Sequence, residues 1–283
     1  MNIIDGKGIA LKTKAEIKNE VDALKKQNIR VGLAVIIVGD NAASRIYVNN
    51  KKKACAQLGI YSEEYALPAD TGMQALLSLI DELNSRKDIN GILCQLPLPS
   101  HLDEASVIRA ISPLKDVDAF HPVNVGKIMI GDYDFLPCTP AGVMRLLKES
   151  GIDPASKNCV VIGRSNIVGK PMAMLMLHKN ATVTICHSKT KNLKDITKTA
   201  DIVIAAVGKA KFVTSDMVKE GAVVIDVGMN RLENGRLCGD VDFEAVAPKC
   251  SFITPVPGGV GPMTIAMLMA NTVTAAKKQN GII

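Results

Sequence analysis

The sequence predicts an α/β fold of two αβ domains, each built on a largely parallel sheet covered by helices. Three observations carry that prediction. Helix-like and strand-like patterns alternate along the whole chain, as they do where crossover helices cover a parallel sheet. The run Val31 to Val38 is unbroken in its apolar character and Gly91 to Leu96 is another short run of the kind, as in strands buried on both faces. Finally, 283 residues at 47% hydrophobic and 22% charged content are enough for two modest cores, and one polar stretch past the middle of the first half offers a place to divide them.

Taken in order, Ala10, Ile17, Val21 and Leu24 are spaced like one face of a helix, and the apolar run Val31 to Val38 reads as a buried strand. Ser44 is the expected cap of a helix whose stripe runs Tyr47, Lys51, Cys55, Leu58. Tyr61 to Leu67 then looks extended, Met73 to Leu83 helical, and Gly91 to Leu96 a second short buried strand ending in the stiff Pro97-Leu98-Pro99. Gly131 to Cys138 is polar and loop-like. Thr139-Pro140 supplies an N-cap and first-turn proline for a helix ending at Gly151.

Four apolar runs follow: Cys159 to Ile162, Ala181 to Cys186, Asp201 to Val207 and Ala222 to Val227. They make a second αβ unit of the size a nucleotide-binding sheet needs. A helical tail, Met263 to Gln279, is expected to pack back on the first domain. The expected boundaries are 1–138 plus 264–283 for the first domain and 139–263 for the second.

Composition narrows the function. Seven cysteines, odd in number and scattered, give no disulfide framework and fit a reducing compartment. The four histidines show no ligand spacing with cysteines or carboxylates, so no metal is expected. A net charge of +6 is too diffuse for DNA but favours small anions, and 3% aromatic residues with no tryptophan leave few stacking platforms for single strands. No apolar run reaches a membrane span and the first residues do not resemble an export signal, so a soluble, cytoplasmic chain is expected.

Chemistry is suggested at two places. In the second domain, Val160-Val161-Ile162 runs into Gly163-Arg164-Ser165-Asn166-Ile167-Val168-Gly169 and then an apolar helix, Met172 to Leu177. Such a glycine turn presents backbone N–H groups and a helix N-terminus to a pyrophosphate. The G-x-G-x-x-G fingerprint is incomplete, because Ser165 and Val168 stand where glycines would, so a purely structural turn fits equally well. Where an NAD site offers an acid, this chain has Cys186-His187-Ser188-Lys189. Without a carboxylate there, and with Arg164, Ser188 and Lys189 as donors, NADP is favoured over NAD. A nucleophile elbow and a P-loop both fail, since Ile167 and Pro171 occupy decisive positions.

In the first domain, Tyr47 and Lys51 are neighbours on the helix face that carries Cys55 and Leu58. A lysine turned toward a partly dry pocket loses hydration and can work as a general acid or base; a solvated patch with Lys52 and Lys53 is the other reading. Gln95 at a strand end and Asp118 in the loop Asp116-Val117-Asp118-Ala119 are possible ligand groups, or merely a satisfied amide and a turn former. Pro255-Val256-Pro257-Gly258-Gly259-Val260-Gly261-Pro262 combines close-approach glycines with stiffening prolines, which suits either a ligand loop or a rigid connector.

Together these segments resemble the bifunctional methylenetetrahydrofolate dehydrogenase/methenyltetrahydrofolate cyclohydrolase family over nearly the whole chain. The likeness is carried by Ser44-x-x-Tyr47-x-x-x-Lys51, Gly91 to Pro99, Asp116-Val117-Asp118, Gly163 to Pro171 and Pro255 to Thr264. The resemblance implies a folate-binding catalytic domain, a Rossmann-like NADP-binding second domain and an interdomain active-site cleft. It implies NADP-dependent oxidation of 5,10-methylenetetrahydrofolate to the 5,10-methenyl form and hydrolysis to 10-formyltetrahydrofolate, part of one-carbon metabolism and purine biosynthesis.

By the same resemblance, the catalytic residues are Lys51, Gln95, Tyr47 and Asp118. Gly163, Arg164, Ser165, Ile167 and Ser188 bind the cofactor, with Arg164 and Ser188 on its 2′-phosphate. Tyr47, Asp118, Pro257, Gly258 and Gly259 contact a folate that is expected to be polyglutamylated, and the enzyme is expected to be a homodimer. Ala119 departs from a glycine common in the family's D-V-D-G motif; if that position has positive φ, alanine strains the Asp118 loop. A dehydrogenase without cyclohydrolase activity and a catalytically silent nucleotide sensor are the alternatives.

Overall fold

The computed structural model describes residues 1–283, the side chain of residue 43 excepted. In chain order the elements begin with β1 (Asn2–Ile3), α1 (Gly6–Lys26), β2 (Gly32–Val38), α2 (Ala42–Leu58), β3 (Tyr61–Leu67), α3 (Met73–Ser85) and β4 (Gly91–Cys94). There follow α4 (Glu104–Ala110), α5 (Pro122–Ile130), α6 (Cys138–Glu149), β5 (Asn158–Ile162), α7 (Gly169–His178), β6 (Thr182–Cys186) and α8 (Leu193–Thr197). The chain closes with β7 (Ile202–Ala205), β8 (Val223–Asp226), β9 (Asn230–Arg231), β10 (Leu237–Cys238), α9 (Phe243–Val246), β11 (Phe252–Ile253) and α10 (Val260–Gln279). Among the described residues no helix is long and apolar enough to cross a membrane.

Contacts divide the chain into two units, residues 1–11 with 139–264 and residues 12–138 with 265–283. Residues 1–11, expected with the first domain, group instead with the later unit. The reason is hydrogen bonding: β1 pairs in parallel with β11, Asn2 opposite Phe252 and Ile3 opposite Ile253.

The unit of 12–138 and 265–283 is built on a parallel sheet in the order β3-β2-β4. β2 is buried along its whole length, as its unbroken apolar run demands. Its two faces feed two cores. Leu33, Val35 and Ile37 pack with Val21, Cys55 and Leu58 from the helices, while Ala34, Ile36 and Val38 pack with Leu76, Ile80 and Ile92. This is the period-2 alternation of a strand read from both sides. The tail helix α10 contributes Leu268, Met269 and Val273 to the first of these cores.

The cap of α2 differs from the expectation. Asn41 is the N-cap residue and its side chain accepts from Ser44 N–H at 3.0 Å, so Ser44 lies in the first turn as the capped residue. α6 likewise starts two residues early, at Cys138. Thr139 is therefore already helical, and its hydroxyl meets the Thr264 hydroxyl at 3.0 Å.

The other unit is Rossmann-like, a sheet in the order β1-β11-β8-β7-β5-β6 with every pair parallel. β5 runs between β6 on one side and β7 on the other, so the strand order reverses beside β5. The crevice outside the carboxyl ends of such strands is where a ligand can enter.

Candidate active site and nucleotide site

In the unit of residues 12–138 and 265–283 the chemistry gathers at the carboxyl end of β4. Gln95 continues the strand, its N–H donating to Ile36 carbonyl at 2.8 Å. Its side-chain Nε2 donates to Leu96 carbonyl at 2.7 Å, which turns Oε1 outward. That oxygen accepts from Lys51 Nζ at 2.8 Å. Lys51 is half-buried while Lys52 and Lys53 are exposed, so the inward reading of the helix stripe holds. Lys52 pairs instead with Glu64 at 2.7 Å. Tyr47, one turn earlier on the same face, is 40% exposed.

Asp118 is held close by. Gly91 makes this possible: a Cβ there would come within 2.7 Å of Val117 Cγ1, so only glycine lets the 115–118 segment lie against β4. Ile92 N–H donates to Lys115 carbonyl at 2.8 Å. Asn271 Nδ2 donates to Val117 carbonyl at 2.8 Å, and Lys115 Nζ donates to Leu83 carbonyl at 2.9 Å. The Asp116 carboxylate closes the loop by accepting from His121 N–H and Asn124 Nδ2, both at 2.8 Å.

Burial pushes the Asp118 carboxyl above the usual range, the Lys51 charge opposes this, and the Asp116 carboxylate adds to it. Cys138 Sγ donates to Asp118 Oδ1 at 3.6 Å. Burial raises that thiol well above its ordinary value, which makes it a packing group rather than a nucleophile. Ala119 takes φ 57° and is fully buried. The condition for strain in the Asp118 loop is therefore met.

In the Rossmann-like unit the turn after β5 is as tight as a pyrophosphate loop requires. Gly163 has φ 133°, and a Cβ on it would fall 2.2 Å from Ala206 carbonyl oxygen. A Cβ on Gly169, the first residue of α7, would fall 2.3 Å from Gly163 carbonyl oxygen. The helix thus begins at this glycine, three residues before the expected Met172. Ser165 Oγ accepts from Val168 and Gly169 N–H at 3.2 Å each, which holds the turn through its hydroxyl. Arg164 and Ile167 are exposed around it, and Ser188 and Lys189 are exposed just beyond β6.

The loop at 255–259 belongs to the same unit. Gly258 has φ 110°, and a Cβ on Gly6 would fall 1.9 Å from Gly259 carbonyl oxygen, so the close approach suggested by the vicinal glycines is made to the start of α1. Pro257 is exposed.

The sequence matches two family models, the tetrahydrofolate dehydrogenase/cyclohydrolase catalytic domain over residues 4–118 and the NAD(P)-binding domain of the same enzymes over residues 137–280. The chain belongs to the tetrahydrofolate dehydrogenase/cyclohydrolase family. It is 64% identical over 277 residues to the bifunctional protein FolD of Acetivibrio thermocellus, covering 98% of this chain and 97% of that one. The crystal structure of the bifunctional enzyme FolD from Campylobacter jejuni matches with TM-score 0.97 and 52% identity, over 98% of this chain and 99% of that one. A Trypanosoma brucei FolD structure complexed with NADP cofactor and inhibitor matches with TM-score 0.94 and 40% identity, over 98% and 97% of the two chains.

One part of the NAD(P)-binding domain escaped the sequence reading. Asp226 and Asp240 are both buried at 3% and 0% exposure, and their carboxylates accept backbone N–H groups from the loops that follow β7 and β8. A signal was available, since an aspartate closing the apolar run Val223-Val224-Ile225 and a Gly239-Asp240 pair are costly in a core unless they are hydrogen-bonded. Nothing in the spacing said that the two would meet.

Proposed function

We propose that this chain oxidises 5,10-methylenetetrahydrofolate to 5,10-methenyltetrahydrofolate with NADP⁺ and hydrolyses the product to 10-formyltetrahydrofolate. The observation that carries the reading is the 2.8 Å hydrogen bond from Lys51 Nζ to Gln95 Oε1, a proton carrier held by an amide beside the Asp118 carboxyl. Membership of a dehydrogenase/cyclohydrolase family supports it, as do relatives named as bifunctional.

The pyrimidine edge of a pterin presents adjacent N–H donors, and Asp118 is the group in this unit suited to accept them. Tyr47 packs its ring on the folate. For the oxidation, the chain needs to position the methylene bridge and keep competing groups away, because the resulting cation is shared between two nitrogens. When bound, NADP⁺ supplies the hydride acceptor.

Hydrolysis asks more of the side chains. Water adds to the methenyl carbon and loses a proton, one C–N bond breaks, and the departing nitrogen gains a proton. Lys51 is suited to take the first proton and return the second, with Gln95 fixing its ammonium or amine in place.

The residues after β5 and β6 fit NADP. Gly163 and Gly169 leave the backbone bare where a pyrophosphate meets the start of α7. Arg164 and Ser188 offer donors to a 2′-phosphate, and the segment after β6 carries no carboxylate to repel it. Gly258, Gly259 and Pro257 complete the substrate-contacting set. The finer picture is a cytoplasmic homodimer acting on polyglutamylated folate, with the folate domain in 12–138 plus 265–283 and the cofactor domain in 1–11 plus 139–264.

The test is to mix the purified chain with 5,10-methylenetetrahydrofolate and either NADP⁺ or NAD⁺, following reduced nicotinamide and 10-formyltetrahydrofolate separately. Both products with NADP⁺ are expected. Reduced nicotinamide alone would select a dehydrogenase without hydrolysis, and neither product would overturn the reading.

A further inference from the structure

We propose that Asp240 is a positioning residue for the nicotinamide half of the cofactor, acting through the backbone of the loop that follows β7. The inference rests on the NADP reading above and extends it to a residue that makes no expected contact with the nucleotide.

The Asp240 carboxylate gathers four donors. Oδ2 accepts from Val207 N–H at 2.6 Å and Gly208 N–H at 2.9 Å. Oδ1 accepts from Lys209 N–H and Asn230 Nδ2, each at 2.9 Å. Three consecutive backbone amides are thereby turned onto one buried group, which fixes the path of the loop directly after β7.

Asp240 is itself held by a second carboxylate. Asp226 accepts from the N–H groups of Asp240, Val241 and Gly228, each at 2.9 Å, and its own N–H donates to Thr254 Oγ1 at 2.7 Å. Glycines make the contact possible. A Cβ on Gly239 would fall 1.8 Å from Asp226 Oδ2, and one on Gly228 would fall 2.2 Å from Asp240 Oδ1.

The arrangement is expensive, since burial, aided by the Asp240 charge, pushes the Asp226 carboxyl up to about 6. Two adjacent carboxylates in a core survive only where hydrogen bonds compensate them, and such groups concentrate where backbone geometry serves function.

Location supplies the function. The loop begins at Ala206, the residue whose carbonyl excludes any side chain on Gly163. A dinucleotide lying across the strand-order reversal beside β5 puts its adenosine half on the β6 side, where Ser188 is, and its nicotinamide half on the β7 and β8 side. The carboxylate pair ties together the two loops on that second side.

Equilibrium titration of the full-length chain with NADP⁺ and with adenosine 2′,5′-bisphosphate tests this, using the parent, Asp240→Asn and Asn230→Ala. Asp240→Asn should weaken NADP⁺ by about tenfold or more, as loss of charge-assisted hydrogen bonding implies, and leave the bisphosphate unchanged. The hydrolysis of methenyltetrahydrofolate, which consumes no nucleotide, should keep its kcat and KM. Asn230→Ala removes one donor and should shift NADP⁺ in the same direction by less, and it decides the matter if Asp240→Asn does not fold. Equal weakening of both ligands, or of neither, overturns the proposal. Failure of the parent to bind either ligand overturns the NADP reading instead, and the inference falls with it.

Discussion

Replacing Ala119 separates backbone strain from packing in the loop that carries Asp118. Ala119 has φ 57° and is 0% exposed within the core that includes Leu33, Leu93 and Val117. Glycine in its place relieves the left-handed backbone, a gain of about 1 to 2 kcal/mol. Against this stand the loss of a buried methyl, about 0.8 kcal/mol, and the greater freedom of the unfolded chain, ~0.4 to 1 kcal/mol. The terms nearly cancel, so Ala119→Gly should lie within about 1 kcal/mol of the parent.

Valine meets the opposite sum. A β-branched residue is a true outlier at positive φ, and two more carbons must enter a filled core, so Ala119→Val should lose about 3 kcal/mol or more. Urea unfolding, compared at constant m-value, reads both changes. The loop is also pinned independently of the side chain at 119, by the backbone bond from Ala119 N–H to Asp116 carbonyl at 3.1 Å and by Asn271 on Val117 carbonyl. The folate KM of Ala119→Gly should therefore stay within about threefold of the parent, under ~0.7 kcal/mol. A glycine variant losing over ~2 kcal/mol, or a valine variant as stable as the parent, would refute the reasoning.

Two further outcomes follow from the charged groups. Arg86 donates to both Glu63 oxygens at 2.7 and 2.9 Å and to Asp88 Oδ2 at 2.6 Å, and its bonds to Glu63, with those from Tyr61 and Tyr65, hold the Glu63 carboxyl down at about 2. A carboxylate lowered in the fold contributes stability that is complete above its unfolded pKa and disappears as pH falls through the folded value. The parent should thus lose stability between roughly pH 4.5 and 2, and Arg86→Ala should flatten that part of an acid-denaturation curve; an unchanged slope would count against the network. Arg164→Ala should raise KM for NADP⁺ by about 10- to 100-fold, the scale of a charge-assisted phosphate contact, and leave KM for NAD⁺ nearly unchanged. Equal losses for both cofactors would remove Arg164 from the 2′-phosphate.

The sequence was most legible where burial is continuous. β2 and β7 are apolar and buried along their whole length, and the apolar runs Cys159–Ile162 and Val223–Ile225 are the buried parts of β5 and β8. The four-residue step from Tyr47 to Lys51 placed the lysine on the face that meets Gln95, because helical spacing is local information. Two-residue strands are different. β1 and β11 have no periodicity to read, and their pairing, which draws residues 1–11 into the Rossmann-like unit, is decided by tertiary contact.

The cap of α2 shows a local competition: Asn41 and Ser44 can both accept an N–H, and Asn41 prevails at the extended residue before the helix. The Asp226 and Asp240 pair was illegible for a third reason. Asp226 ends an apolar strand and Asp240 follows a glycine, which marks each as costly to bury, but only the return of the chain through β9 and β10 brings them together.

The most direct measurement of the account is the pair of activities in Lys51→Met. Methionine keeps the length and packing of the side chain but carries no proton. The account predicts that NADPH still forms from 5,10-methylenetetrahydrofolate, that methenyltetrahydrofolate accumulates, and that release of 10-formyltetrahydrofolate falls by about 100- to 10,000-fold, the range for a lost general acid–base group. Hydrolysis at the parent rate would contradict it.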